Sequence, residues 1–144
     1  VLWRDSGSGE VNLWTIDGPG AGQTHGQTVA YLGNEWNVAG TGDFNGDGKA
    51  DILWFDTVTG QVVVWEMNGA SVLAHQEIGD PGPQWRVVDV ADISGDGKAD
   101  ILWRDTGTGQ VVAWAMDGFH VDHYGVLATV DNTWKVINHH YDLA

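Results

Sequence analysis

The stretch Asp43–Gly69, DFNGDGKADILWFDTVTGQVVVWEMNG, returns almost unchanged as Asp92–Gly118, DISGDGKADILWRDTGTGQVVAWAMDG. Twenty of the 27 positions are identical, and no gap is needed. A third copy, VLWRDSGSGEVNLWTIDG, occupies Val1–Gly18 and lacks the acidic first part. Trp134-Lys-Val-Ile repeats the start of the other two units, Trp85-Arg-Val-Val and Trp36-Asn-Val-Ala. The nine tryptophans fall into three columns: Trp3, Trp54 and Trp103; Trp14, Trp65 and Trp114; Trp36, Trp85 and Trp134. Copies are spaced by 51 residues and then 49, the two extra residues lying in the Gly-rich stretch Pro19–Gly26. Self-similarity at such a period points to a repeat architecture.

Within one unit, Trp85–Val90 is a short β-rich run leading into the acidic loop Asp92–Asp100. Ile101–Asp105 reads as a second strand, followed by the turn Thr106–Gly109 and a third strand, Gln110–Met116. Asp117-Gly118 is a two-residue hairpin signal, repeated as Asn68-Gly69 and Asp17-Gly18. A fourth strand is expected within His120–Leu127. Runs such as Val62–Trp65 are apolar on both faces, as in a sheet sandwiched between neighbouring sheets. The expected fold is all-β, without helix: β-propeller blades of four antiparallel strands, three repeats to the chain. Repeat 1 takes residues 1–35 together with a strand from 134–144, repeat 2 residues 36–84 and repeat 3 residues 85–133, all within one domain.

Composition agrees with a globular chain, 42% hydrophobic and 18% charged, with 21 glycines and three prolines. A formal net charge of -14 gives nucleic acid and anionic membranes no basic footprint. The absence of cysteine excludes disulfides, thiolate metal sites and a Cys nucleophile. No apolar run is long enough to span a bilayer as a helix. The chain starts at Val1 with no visible signal peptide, which suggests a mature or excised segment.

The acidic loops account for part of the charge. Asp43, Asn45, Asp47 and Asp51 stand at loop positions 1, 3, 5 and 9, as do Asp92, Ser94, Asp96 and Asp100. Calcium takes six to eight oxygens from carboxylates, carbonyls and water, and alternate residues of a tight loop can all point inward. The carbonyls of Lys49 and Lys98, at position 7, add a ligand each. The alternative is an Asx-rich turn without metal, in which three carboxylates would converge and repel. Two calcium ions per chain are therefore the expected cofactor, with magnesium disfavoured by its octahedral, water-retaining coordination.

These residues resemble the FG-GAP (VCBS-type) repeat in the unit W-x-V-x-G-x-G-D-F-N-G-D-G-K-A-D-I-L-W. Such repeats build the propellers of integrin α subunits, certain fungal and bacterial lectins, and many bacterial secreted or surface proteins. The resemblance implies that the two loops ligate calcium between the first two strands of a blade, through Asp43, Asn45, Asp47, Lys49 and Asp51 and through Asp92, Ser94, Asp96, Lys98 and Asp100. It also implies a secreted or cell-surface location. The literal Phe-Gly and Gly-Ala-Pro elements are absent, Val38–Gly42 occupying that region. Tyr141-Asp142 ends the chain where a third loop would begin.

Propellers close with four or more blades, so three repeats leave two outer faces bare. A homo-oligomer is expected, a dimer closing a six-bladed ring by donating the Trp134–Tyr141 strand. The alternative is a fragment cut from a longer propeller. For ligands, His25, His75 and His123 fall at roughly comparable places in the fourth-strand region, with Tyr124 or Tyr31 nearby, and are candidates to line pockets between blades. Partly exposed strand histidines are the plainer reading. His139, His140 and Asp142 suggest a metal cluster, or else residues of the end strand. The tryptophan columns read as core packing rather than as sugar platforms. Arg4-Asp5 and Arg104-Asp105 read as structural pairs at a strand end.

No Gly-x-Ser-x-Gly, His-Glu-x-x-His or phosphate-cradling loop is present. Glu10, Glu35, Glu66 and Glu77 are scattered without the shared motif that two opposed glycosidase carboxylates would need. The expected function is a calcium-binding propeller module that is not an enzyme, with carbohydrate as its first ligand class. The alternative is a protein-interaction or structural module of a larger secreted protein.

Overall fold

The computed structural model describes residues 1–16 and 24–135; for residues 15, 16, 24 and 25 it describes the backbone alone. Among the described residues, eleven strands form three antiparallel meanders, each following chain order. Sheet 1 is β1 (Leu2–Arg4), β2 (Glu10–Ile16) and β3 (Thr24–Tyr31). Sheet 2 is β4 (Trp36–Gly42), β5 (Asp51–Asp56), β6 (Val62–Asn68) and β7 (Ser71–Gly79). Sheet 3 is β8 (Trp85–Ala91), β9 (Asp100–Asp105), β10 (Gln110–Asp117) and β11 (His120–Thr129). No helix occurs among the described residues, and none of the three sheets closes into a barrel. The four-strand unit expected from the repeat is present in sheets 2 and 3, with the fourth strand of sheet 3 running on to Thr129. Most of the strand expected at Trp134–Tyr141 lies outside the described residues, as does Asp17-Gly18.

Turn chemistry repeats with the sequence. After the second strand of each unit an aspartate (Asp5, Asp56 or Asp105) accepts, through Oδ1, the amides two and three residues on. The turn ends on Gly9, Gly60 or Gly109, whose φ of +75°, +85° and +77° only glycine adopts without strain. The next hairpin is shifted by one residue from the expected Asp-Gly or Asn-Gly pair. Asp117 pairs with His120 and Asn68 with Ser71, so the two loop residues are Gly118-Phe119 and Gly69-Ala70. Positive φ at the first loop residue alone is the requirement of a type II′ turn.

Arg4 and Arg104 do not pair with the aspartates beside them. Arg4 donates to the carbonyls of Leu32 and Gly33, and Arg104 to those of Val130, Asp131 and Trp134. Each arginine holds the turn that follows the last strand of its sheet. A guanidinium with five donors suits a ring of carbonyls, whereas the neighbouring carboxylate already accepts two turn amides.

Sheet 2 lies between the other two. Successive strand residues point to opposite faces, so Ile52 and Trp54 of β5 pack against sheet 1 while Leu53 and Phe55 pack against sheet 3. Every residue of β5 is buried, and between its terminal aspartates the run Ile52–Phe55 is apolar without alternation. The two interfaces are built from the same columns 49 residues apart. Trp36, Ile52, Trp54, Trp65 and Met67 pack towards sheet 1, and Trp85, Ile101, Trp103, Trp114 and Met116 towards sheet 2. The sheets come closest along β4 and β8, where Gly40 and Gly42 leave room for Val90 and Ala99.

The tryptophan columns are thus core in sheets 2 and 3 but not in sheet 1. Trp54 and Trp103 are 1% exposed, whereas their counterpart Trp3 is 52% exposed. Trp54→Ala should cost about 3–5 kcal/mol of unfolding free energy, as for a fully buried large aromatic. In a single copy, Trp3→Ala should cost about 1 kcal/mol or less, little more than its aromatic contact with Trp14. Chemical denaturation followed by circular dichroism separates the two, and equal losses would mean that the sheet 1 face is covered.

Candidate metal loops and an inter-sheet tryptophan pocket

Each acidic loop is wound about its first aspartate. Asp43 Oδ1 accepts the amides of Gly46 and Asp47, and Oδ2 accepts that of Gly48. Asp92 makes the same three bonds with Gly95, Asp96 and Gly97. Asn45 Oδ1 accepts the amide of Asp47, while Asp47 and Asp96 accept those of Lys49 and Lys98. Gly46 and Gly48, like Gly95 and Gly97, have φ between +79° and +87°, so the loop turns twice through the left-handed region. Lys98 also forms an ion pair with Asp117 at 2.7 Å.

The ninth residue does something that its spacing did not disclose. Asp51 is fully buried, and its carboxylate joins three segments: Oδ2 accepts the amide of Phe44 in the loop, and Oδ1 that of Met67 in β6. Asp100 likewise accepts Ile93 and Ser94 through Oδ2 and Met116 through Oδ1. Each aspartate therefore clamps its loop, its own strand and the next strand together. Removing the carboxylate would strand two amides beside the buried Phe44 and Met67, at about 1–3 kcal/mol each.

Whether these loops fit calcium is a question of donor chemistry and free lone pairs. A carboxylate offers about four acceptor sites. Asp43 has about one left after its three amide bonds, Asp47 about three after one, and Asp51 about two after its own. The oxygen set suits a hard cation, and acceptor capacity remains on each ligand expected at positions 1, 5 and 9. The side chains are turned towards backbone amides, however. Among the described residues no three acidic or histidine side chains stand together as a metal-holding group. His139, His140 and Asp142 lie outside the described residues.

A second feature recurs with the repeat. Leu32, Trp36, Trp54, Val63, Trp65 and His75 line a cavity of about 210 Å³ between sheets 1 and 2. Pro81, Trp85, Trp103, Val112, Trp114 and Tyr124, each 49 residues further on, line one of about 360 Å³ between sheets 2 and 3, with Gln110 at its edge. In each wall two indoles meet at 5.1 Å between ring centroids: Trp54 with Trp65, and Trp103 with Trp114. The indole N–H groups of Trp54 and Trp103 are buried without a hydrogen-bond acceptor in the protein.

The register separates the three histidines. His75 lies opposite Trp65, as Tyr124 lies opposite Trp114. His123 lies opposite Ala115 and His25 opposite Thr15. A one-residue offset turns a strand residue to the other face. His75 and Tyr124 therefore share the tryptophan cavities, whereas His123, held 2.8 Å from Asp122, lines a cavity of about 420 Å³ on the outer face of sheet 3, with Tyr124 at its rim. The side chain of His25 is not described. Tyr31 is exposed in sheet 1.

Burial pushes the Asp51 carboxyl above its usual range, against the bonds from Met67 and Phe44 that favour the ionised form; Asp47 and Asp43 add to the rise. The folded protein thus holds this proton more tightly than the unfolded chain does. The resulting stability is complete below the unfolded value of 3.8 and is lost as pH rises through the folded one. Asp51→Asn removes that contribution. In calcium-free buffer the parent's advantage over the variant should widen as pH falls from neutral towards about 4, read by urea denaturation at several pH values. A gap that narrows on acidification would contradict the assignment.

Residues 43–103 match the family model described as FG-GAP-like repeat. The match opens on the first acidic loop, runs through β5, β6 and β7 of sheet 2, β8 and the second acidic loop, and closes on Trp103 in β9. No significant match was found among curated proteins or among solved structures. Over residues 43–103 the chain is thus similar to an FG-GAP-like repeat.

Proposed function

We propose that the chain is a calcium-binding β-propeller module of three blades in one domain, and that it binds carbohydrate at the tryptophan cavities between its sheets. The observation that carries this reading is the recurrence of one cavity in two places, with the tryptophans kept and the rim residue changed from His75 to Tyr124. Two close-packed interfaces would need no cavity. A cleft walled by indoles with a polar group at its mouth suits the apolar face and hydroxyl edge of a sugar ring. An interaction module is also the type of protein in which FG-GAP repeats occur, which supports a binding rather than an enzymatic role.

Calcium would be held by Asp43, Asn45, Asp47, the Lys49 carbonyl and Asp51, and by Asp92, Ser94, Asp96, the Lys98 carbonyl and Asp100. Its contribution is charge: two ions would take the formal net charge from -14 to -10. The chain's own part is to pre-wind each loop around Asp43 or Asp92 and to anchor it through Asp51 or Asp100. Millimolar extracellular calcium would fill even weak sites, which places the protein outside the cell on this reading. No helix among the described residues is long and apolar enough to cross a membrane.

Chelation should lower the thermal midpoint, and calcium should restore it. A midpoint unchanged by EDTA overturns the metal reading. On an immobilised glycan panel, the calcium-loaded chain should be retained by one sugar family, and Tyr124→Ala, exposed at the cavity mouth, should weaken that retention without shifting the midpoint. A blank panel overturns the carbohydrate reading in favour of a protein-interaction or structural module.

A further inference from the structure

The tryptophan cavity occurs twice within the chain, and the chain also holds, apart from each other, the indoles for a third. Each cavity takes one tryptophan from each column. The first uses Trp36, Trp54 and Trp65, and the second Trp85, Trp103 and Trp114. The remaining three are Trp134, Trp3 and Trp14, which are 68%, 52% and 41% exposed. They sit at opposite ends of the stack, Trp3 and Trp14 on the outer face of sheet 1 and Trp134 in the turn after sheet 3.

Both halves are already in the geometry of the complete cavities. Trp3 and Trp14 meet at 5.3 Å and 48°, against 5.1 Å with 54° and 55° for the two buried pairs. Trp134 donates its amide to Asp131, as Trp36 does to Gly33 and Trp85 to Gly82, three turns spaced 49 residues apart. Arg104 fixes that turn through three carbonyls, one of them that of Trp134. The outer face of sheet 3 carries the side chains that, in sheet 2, receive the next sheet. Leu102, Ala113 and Leu127 stand where Leu53, Val64 and Ile78 contact sheet 3.

We infer that the outer face of sheet 1 in one copy of this chain docks on the outer face of sheet 3 in a second copy. Trp3 and Trp14 of one molecule then meet Trp134 of the other and assemble a third cavity. The occupant is a second copy because the two faces are the two sides of an interface the chain already makes twice within itself. The contact is head-to-tail, and a pair of copies that each give and receive it once forms a closed dimer. The third cavity differs at two positions of its wall: Asn12, opposite Trp3, replaces Val63 and Val112, and Gly26, opposite Trp14, replaces His75 and Tyr124. This rests on the cavity reading above for the use of the third site, but not for its assembly.

Native mass spectrometry and sedimentation in calcium test the assembly. The expected result is a species of twice 15.6 kDa, in which acrylamide quenches tryptophan fluorescence less than at dilutions that separate the copies. Ala113→Arg, on the sheet 3 face, and the double variant Trp3→Ala/Trp14→Ala, on the sheet 1 face, should each lose that species. Circular dichroism checks that both remain folded. Mixed, the two variants retain one intact pair of faces and should recover a dimer. Trp134→Ala, exposed and outside every sheet, should leave the fold intact and weaken association. A monomer at all concentrations overturns the inference, and so does a dimer that survives Ala113→Arg or a mixture that stays monomeric. A monomer that still binds the glycan panel sinks this inference alone. A dimer that binds no glycan sinks the carbohydrate reading alone.

Discussion

The burial of two apolar faces on one thin layer is the constraint on which the rest of the molecule depends. A strand turns alternate residues to opposite sides, so Ile52 and Trp54 leave β5 one way while Leu53 and Phe55 leave it the other. A β5 exposed on either side would put indole or phenyl surface into water, at roughly 25 cal/mol for each Å². Sheets 1 and 3 cover those faces, and they do so with the columns that sheet 2 itself presents. The repeat is therefore the means by which each sheet matches its neighbour. Glycines at 40 and 42 let the first strands approach, which brings the stack together at that edge.

Polar groups hold what the apolar columns bury. Asp51 and Asp100 lie at the junction of loop, second strand and third strand, each accepting backbone amides from the loop and from the third strand. Asp43 and Asp92 do the same for the loop itself. A loop wound in this way is prepared before any cation reaches it, because amide donors already offset part of the carboxylate charge. The acids have two roles on this reading: structural bonds through some lone pairs, and acceptor capacity left over on others. Arg4 and Arg104 serve the opposite edge, gathering the carbonyls of the turns that lead out of sheets 1 and 3.

The cavities arise where this regularity is incomplete. An indole from each of three columns leaves a cleft that Val63 or Val112 does not fill, and the residue opposite the second indole of each wall decides what stands at the mouth. That residue is His75 in one case and Tyr124 in the other, while in sheet 1 it is Gly26, close against Trp14. The same scaffold thus offers three versions of one wall, with different chemistry at equal positions.

The sequence by itself determined the repeat, the order and number of strands in sheets 2 and 3, and the two acidic loops, because those are local properties. Period-2 burial, Gly at positive φ and oxygen side chains at alternate loop positions act over a few residues and leave a readable pattern. The tertiary structure decided the rest, because it depends on register and on what lies across an interface. Trp54 and Trp3 occupy the same column and nearly the same sequence, yet among the described residues only Trp54 has a neighbouring sheet packed over it. His75 and His123 looked equivalent along the chain, and a one-residue difference in pairing sent them to opposite faces. Asp51 read as one more loop acid, and its contacts with Phe44 and Met67 became visible only once β5 and β6 were side by side.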